Sequence, residues 1–167
     1  MNNTLKDKNI LITGVCGTVG QEIVNLLLQE NTYEPKHILG IDNNESELFF
    51  TTNRFSEHEN IDFRVLDIRD GLEVERALRG IDVVFHCAAL KHVILNEYSP
   101  SQTVATNITG LQNILRSAEN NNVEKVIFTS SDKAVNPTNV MGTSKLMGER
   151  LVSAANTGRG VSTVFAS

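Results

Sequence analysis

Short, almost wholly apolar runs alternate along the chain with longer stretches in which apolar and polar positions mix. Residues 9–13 (NILIT), 37–41 (HILGI), 61–66, 82–86 (DVVFH), 123–129 (VEKVIFT) and 161–166 are predicted strands. Between them, 18–29, 45–55, 71–79, 100–120 and 139–156 are predicted helices, and Ile23, Leu26 and Leu27 are expected on the inward face of the first. Strands without a polar face fit a sheet covered on both sides. Strict strand–helix alternation then predicts an α/β fold, a doubly wound parallel sheet with right-handed crossovers. No repeat period and no linker divides residues 1–167, so one domain is expected.

Composition narrows the field. A net charge of −5 disfavours non-specific nucleic-acid binding, which needs a basic face. No apolar run is long enough for a membrane span. The polar start, MNNTLKDKN, lacks signal-peptide form. Two cysteines, Cys16 and Cys87, suit a reducing compartment and are expected to be small buried residues, with the cytoplasm as the default location. The last predicted strand closes the sequence. That predicts the N-terminal part of a longer protein, with a substrate-binding lobe absent.

Chemistry enters where the first strand runs into Gly14-Val15-Cys16-Gly17-Thr18-Val19-Gly20 and then a helix. A glycine triplet in that context marks a Rossmann-type dinucleotide site. Gly14 permits the tight turn, Gly17 lets the backbone approach a pyrophosphate, and Gly20 permits close helix–strand packing. The helix start at Thr18 and Val19 offers free N–H groups and a partial positive charge. Asp42 ends the second strand, 22 residues after Gly20, where a carboxylate accepts the adenine ribose hydroxyls and repels a 2′-phosphate. NAD is therefore preferred to NADP; a helix N-cap is the other use of Asp42. After the third strand, Asp67 could accept the adenine amino group, with Ile68 on the ring, or serve as a cap. Ala88 and Ala89 after the fourth strand let the backbone pass close to a cofactor. Lys91 could reach the cofactor or substrate phosphates, whereas His92 reads as structural. The histidines and cysteines form no metal-ligand spacing.

The fifth strand ends in Thr129-Ser130-Ser131-Asp132-Lys133, at the sheet edge where such folds bind ligands. Met141 and Lys145 lie four apart near a helix start and so share a face. These features, with Ala88-Ala89-Leu90-Lys91-His92-Val93, Thr106-Asn107-Ile108-Thr109-Gly110 and the run from Ser131 through Asn136-Pro137-Thr138-Asn139 to Gly142, resemble the extended short-chain dehydrogenase/reductases. Within them, they look like the capsule-type polysaccharide-biosynthesis branch, the UDP-N-acetylglucosamine 4,6-dehydratases. The resemblance covers essentially the whole chain.

It implies a lyase that acts on a UDP-sugar for cell-surface glycan synthesis. Hydride leaves C4, a base takes the C5 proton, an acid protonates the departing C6 hydroxyl, and hydride returns to C6. By the resemblance Asp132 is the acid, Lys133 the base, and Ser131 the partner of the C4 hydroxyl. Lys145 binds the nicotinamide ribose, and Asn107 fixes backbone near the fifth strand. Asp132 and Lys133 then need pKa values moved up and down respectively from about 3.9 and 10.4. Met141 stands where the family usually has tyrosine, and a thioether is no base. Core packing is its other reading, and such members resemble the branch that retains C5 configuration. A water, or Asp132 itself, must then accept the C4 hydroxyl proton. The resemblance also implies a homo-oligomer. A 4-epimerase of the same superfamily, or a non-catalytic dinucleotide-binding module, remain alternatives; Asp132-Lys133 argues against the epimerase.

Overall fold

The computed structural model describes residues 4–29 and 32–156, and the backbone of 162–166. Six strands form one parallel sheet: β1 (Asn9–Thr13), β2 (His37–Asp42), β3 (Ile61–Val65), β4 (Val83–His86), β5 (Lys125–Thr129) and β6 (Ser162–Ala166). Their order is β3-β2-β1-β4-β5-β6, which puts a switch point between β1 and β4. Parallel neighbours are in register, with Thr13 opposite His86 and His86 opposite Phe128.

Helices cover both faces. On one, β1 and β2 residues Ile10, Ile12 and Ile38 pack with Val24 of α1 (Thr18–Leu27) and Leu48 of α2 (Glu45–Arg54). On the other, Leu11, Ile41 and Val84 pack with Val74 of α3 (Gly71–Ala77) and, beyond it in the chain, Ile114 and Ala118. Side chains of successive strand residues point to opposite faces, which is why no β1 position from Ile10 to Thr13 is exposed. Among the described residues no helix is long and apolar enough to cross a membrane.

Four details depart from the pattern reading. The buried face of α1 is Gly20, Val24 and Leu27, while Leu26 turns outward, because spacing of three and four from Gly20 selects that stripe. A short helix, α4 (Val93–Tyr98), follows β4 unannounced. Its pattern is inverted: Asn96 is buried while Ile94, Leu95 and Tyr98 are exposed, so apolar periodicity could not reveal it. The predicted helix over 100–120 exists in three parts. These are α5 (Pro100–Thr103), a π-helical segment Val104–Gly110, and α6 (Leu111–Asn120). Finally, a 3-10 turn (Asp132–Ala134) precedes α7 (Val140–Ala155). The strand start expected at 161 lies outside the described residues.

Candidate active site

The β1–α1 turn and the loop after β4 meet at the switch point. Gly14 has φ +67°, and a Cβ there would lie 2.6 Å from Ala88 N and 2.7 Å from Ala88 Cα. The sequence therefore needs glycine here on two counts, conformation and space. Thr13 fastens the same junction. Its Oγ1 accepts the Ala88 N–H (3.1 Å) and lies 2.7 Å from His86 Nδ1. His86 is fully buried and stacks on Phe128, and burial pushes its pKa down to about 3, so the ring is neutral. Thr13 Oγ1 thus bridges the Ala88 amide and the imidazole. The Nε2 atom has no partner among the described residues. In-register pairing creates this Thr13–His86 contact, which spacing along the chain could not show.

A cleft of about 580 Å³ opens beside this junction, within the range of small-molecule sites. Its wall includes Gly14, Gly17, Asp42, Asp67 and Ile68 on one side and Ala88, Ala89 and Lys91 on the other. His92, read as structural, is exposed and also lines it. Gly17 carries no side chain to cap α1, so the first amides of that helix, at Thr18, Val19 and Gly20, have no acceptor within it. Thr18 and Val19 are exposed, and Gly20 is buried against the Gly14–Val15 backbone. A pyrophosphate fits such a cradle: close backbone, unpaired amides and the positive end of a helix.

The two acids of this wall are already engaged. Asp42 accepts from Cys16 N (3.1 Å) and Asn44 N (3.0 Å). The cap of α2 is Asn44, not Asp42. Asp67 is no cap either, since Asp70 takes that place on α3. Its carboxylate is gripped by Arg69, whose hydrogen bond holds its pKa below the usual carboxylate range. Ile68 is buried, and a Cβ on Gly110 would fall 2.6 Å from its Cδ1, so the absent side chain makes its room. Cys16 and Cys87 are half-buried rather than buried, and burial lifts both thiols to about 11. Neither is a nucleophile at neutral pH.

Asn107 in the π-helical segment accepts from Leu90 N (2.8 Å) and donates to Leu90 O (3.0 Å) and Ser144 Oγ (2.9 Å). It therefore fixes the loop after the fourth strand, rather than backbone near the fifth as expected. Asn107→Ala is expected to lower stability by about 2 kcal/mol, because it strands both polar groups of Leu90. Chemical denaturation measures this, and an unchanged midpoint would show that water replaces the amide.

The second half of the constellation sits at the carboxyl end of β5, outside the cleft wall. Ser131 Oγ donates to Asp132 Oδ1 at 3.0 Å, and Lys133 Nζ lies 3.6 Å from the same oxygen. The Asp132 side chain is 89% exposed, and the Ser131 hydrogen bond, then the Lys133 charge, hold its pKa below the ordinary value. The raised value expected for an acid is thus corrected: the chain leaves Asp132 ionised, because nothing buries it and two donors favour the anion. Lys145 differs. It is 6% exposed, donates to Thr129 O at 3.0 Å, and lies 4.9 Å above the Phe128 ring. Burial lowers its pKa to about 8. Met141 shares the inner face of α7 but is buried and packs as a core side chain, so it contributes no reacting atom. Two contacts invisible in the sequence hold α7: Glu97 accepts from Val140 N (2.6 Å), and Ser130 donates to Glu149 (2.5 Å).

A family described as polysaccharide biosynthesis protein matches residues 10–166. An uncharacterized membrane protein of Methanocaldococcus jannaschii is 48% identical over 96% of this chain and 47% of its own length. A UDP-N-acetylglucosamine 4,6-dehydratase (inverting) of Campylobacter jejuni is 38% identical over 89% of this chain and 44% of its own. A UDP-glucose 4-epimerase of Rickettsia typhi is 36% identical, over 89% and 43%. The crystal structure of Pen from Bacillus thuringiensis superposes with a TM-score of 0.90 at 42% identity, covering 96% of this chain and 51% of that one. The chain thus spans about half the length of the relatives it matches.

Proposed function

The chain belongs to the polysaccharide biosynthesis protein family, and from that premise we propose that it is the dinucleotide-binding half of a nucleotide-sugar 4,6-dehydratase acting on UDP-N-acetylglucosamine. The cofactor in this reading is NAD, since Asp42 at the end of β2 offers a carboxylate and the four residues after it offer no cation for a 2′-phosphate. The observation that carries the reading is the Ser131–Asp132–Lys133 contact at the carboxyl end of β5, with buried Lys145 on the adjoining helix. Cytoplasmic placement and a homo-oligomer belong to the same proposal.

A nicotinamide ring bound here would supply a hydride acceptor for sugar C4 and a hydride donor for C6. The chain's own residues move the protons. Asp132 starts ionised, so it can accept the C4 hydroxyl proton that the absent tyrosine would have taken. That proton then passes to the C6 hydroxyl, which leaves as water. Lys133, whose Nζ lies 3.6 Å from the same carboxylate, is the base in this reading. Its neutral amine removes the C5 proton, and once the resulting ammonium has exchanged with solvent a proton passes from it back to C5. Ser131 orients the C4 hydroxyl, and Lys145 supplies positive charge beside the ribose.

Incubation of the protein with UDP-N-acetylglucosamine in deuterated water tests this. Deuterium at C5 together with loss of water is expected, and Asp132→Asn should abolish both. An epimerised but intact sugar would favour the 4-epimerase reading, which the Rickettsia relative keeps in play. An unchanged sugar with bound dinucleotide would leave a binding module. The C5 configuration of the product decides between retention, which Met141 suggests by resemblance, and inversion, which the Campylobacter relative carries in its name.

A further inference from the structure

At the adenine end of the cleft the structure shows a carboxylate with little capacity left. Asp67 Oδ1 accepts from Arg69 N and Nε, both at 2.9 Å. Its Oδ2 accepts from Arg69 Nε (2.9 Å) and Nη2 (2.5 Å). A carboxylate has about four lone-pair sites, so this single residue nearly fills them. Arg69 is itself held at its far edge, where Nη1 donates to Gln102 Oε1 at 3.0 Å. Its backbone is held from beneath, because buried Asn113 donates to the carbonyls of Ile68 (3.0 Å) and Arg69 (3.1 Å). Asp67, Arg69 and Gln102 all line the cleft, so the guanidinium spans from the β3 loop to the start of α5.

We propose that Arg69 sets base specificity at this end by competing for the Asp67 carboxylate, and that an adenine dinucleotide binds by displacing the guanidinium onto Gln102. The proposal rests on the reading of the cleft as a dinucleotide site. The displacement is feasible because the pair is partly exposed, with side chains 42% and 31% accessible. Solvent weakens a partly exposed ion pair, and although a two-pronged arginine–carboxylate contact is among the stronger ones, its net contribution stays within reach of what a bound base can replace. Gln102 already accepts one guanidinium nitrogen, so the displaced group has somewhere to go without crossing open solvent. The backbone under it stays fixed by Asn113, so the exchange involves side chains alone.

The arrangement has a chemical signature. A purine with an exocyclic amine donates to a freed carboxylate. Hypoxanthine presents a carbonyl at the same position, which a guanidinium tolerates and a bare carboxylate repels. Removing the guanidinium therefore helps the first base and harms the second. A change in folding or in pyrophosphate binding would move both ligands together.

The experiment measures dissociation constants of the chain for NAD and for nicotinamide hypoxanthine dinucleotide, with wild type, Arg69→Ala and Arg69→Gln. NAD is expected to bind the variants about 5-fold more tightly than wild type, as loss of a competing exposed pair implies. The hypoxanthine-to-adenine ratio of dissociation constants is expected to rise by at least that factor. Melting temperatures check that the variants are folded. An unchanged or lowered ratio overturns the proposal, since Arg69 would then be neutral or would orient Asp67 for the base. No binding of either dinucleotide by wild type overturns the dinucleotide reading as well, so the two failures are distinguishable.

Discussion

Gly14→Ala is expected to destabilise the fold by about 3–5 kcal/mol and to weaken NAD binding at least roughly 100-fold. Two terms add. The left-handed backbone at φ +67° disfavours any side chain, and the new Cβ would fall 2.6–2.9 Å from Ala88 N, Ala88 Cα and Cys87 C. Those three are backbone atoms, so no rotamer change relieves the contact. The loop after β4 would have to retreat, breaking the Ala88 N–H bond to Thr13 Oγ1. Gly80→Ala separates the terms. It also has positive φ, +73°, but nothing lies within 4 Å of a Cβ there, so it is expected to lose only about 1 kcal/mol. Denaturant midpoints and NAD titration of the two variants measure the difference. Equal losses would mean that the close approach of Gly14 to Ala88 contributes nothing.

Lys145→Met is expected to do the opposite to stability. Folding buries the ammonium and lowers its pKa from 10.5 to about 8, which at neutral pH is an unfavourable contribution of about 3 kcal/mol. Methionine has similar volume and no charge. Allowing for the lost hydrogen bond to Thr129 O, the variant should be more stable by about 2 kcal/mol at pH 7. The pH dependence follows from linkage. Between pH 8 and 10.5 the unfolded chain binds more protons than the folded one, so wild-type stability rises with pH across that window. The advantage of the variant should shrink over the same window and be largely gone above it. Turnover, under the proposed function, should fall at least about 100-fold, because positive charge beside the ribose is lost. Melting curves from pH 6 to 11 and single-turnover rates check both parts. A pH-independent advantage would show that Lys145 does not titrate with a lowered pKa.

The two variants divide the site by origin. The glycine position was legible from residue type and context, because a tight turn before a helix restricts the residue whatever lies above it. The ammonium was legible as a residue, but its energetic state was not. Only burial under α7 against Phe128 moves its pKa. Asp132 makes the same point in reverse. Its chemistry as an acid called for burial, and the fold leaves it 89% exposed beside Ser131 and Lys133, hence ionised.

The sequence by itself determined the parallel sheet, the alternation of its strands with covering helices, the glycine cradle, and the positions of Asp42, Asp67, Ala88, Ser131 and Lys145. These follow from local rules: period, turn chemistry, and the polarity of residues at strand ends. The tertiary structure decided which of those groups are free. Strand register joined Thr13 to His86, and the packing of the π-helical segment against the loop after β4 brought Asn107 to Leu90. Such contacts link residues whose spacing carries no period, so no pattern along the chain encodes them. They depend on where separate elements meet, and that is fixed only when the whole sheet is packed.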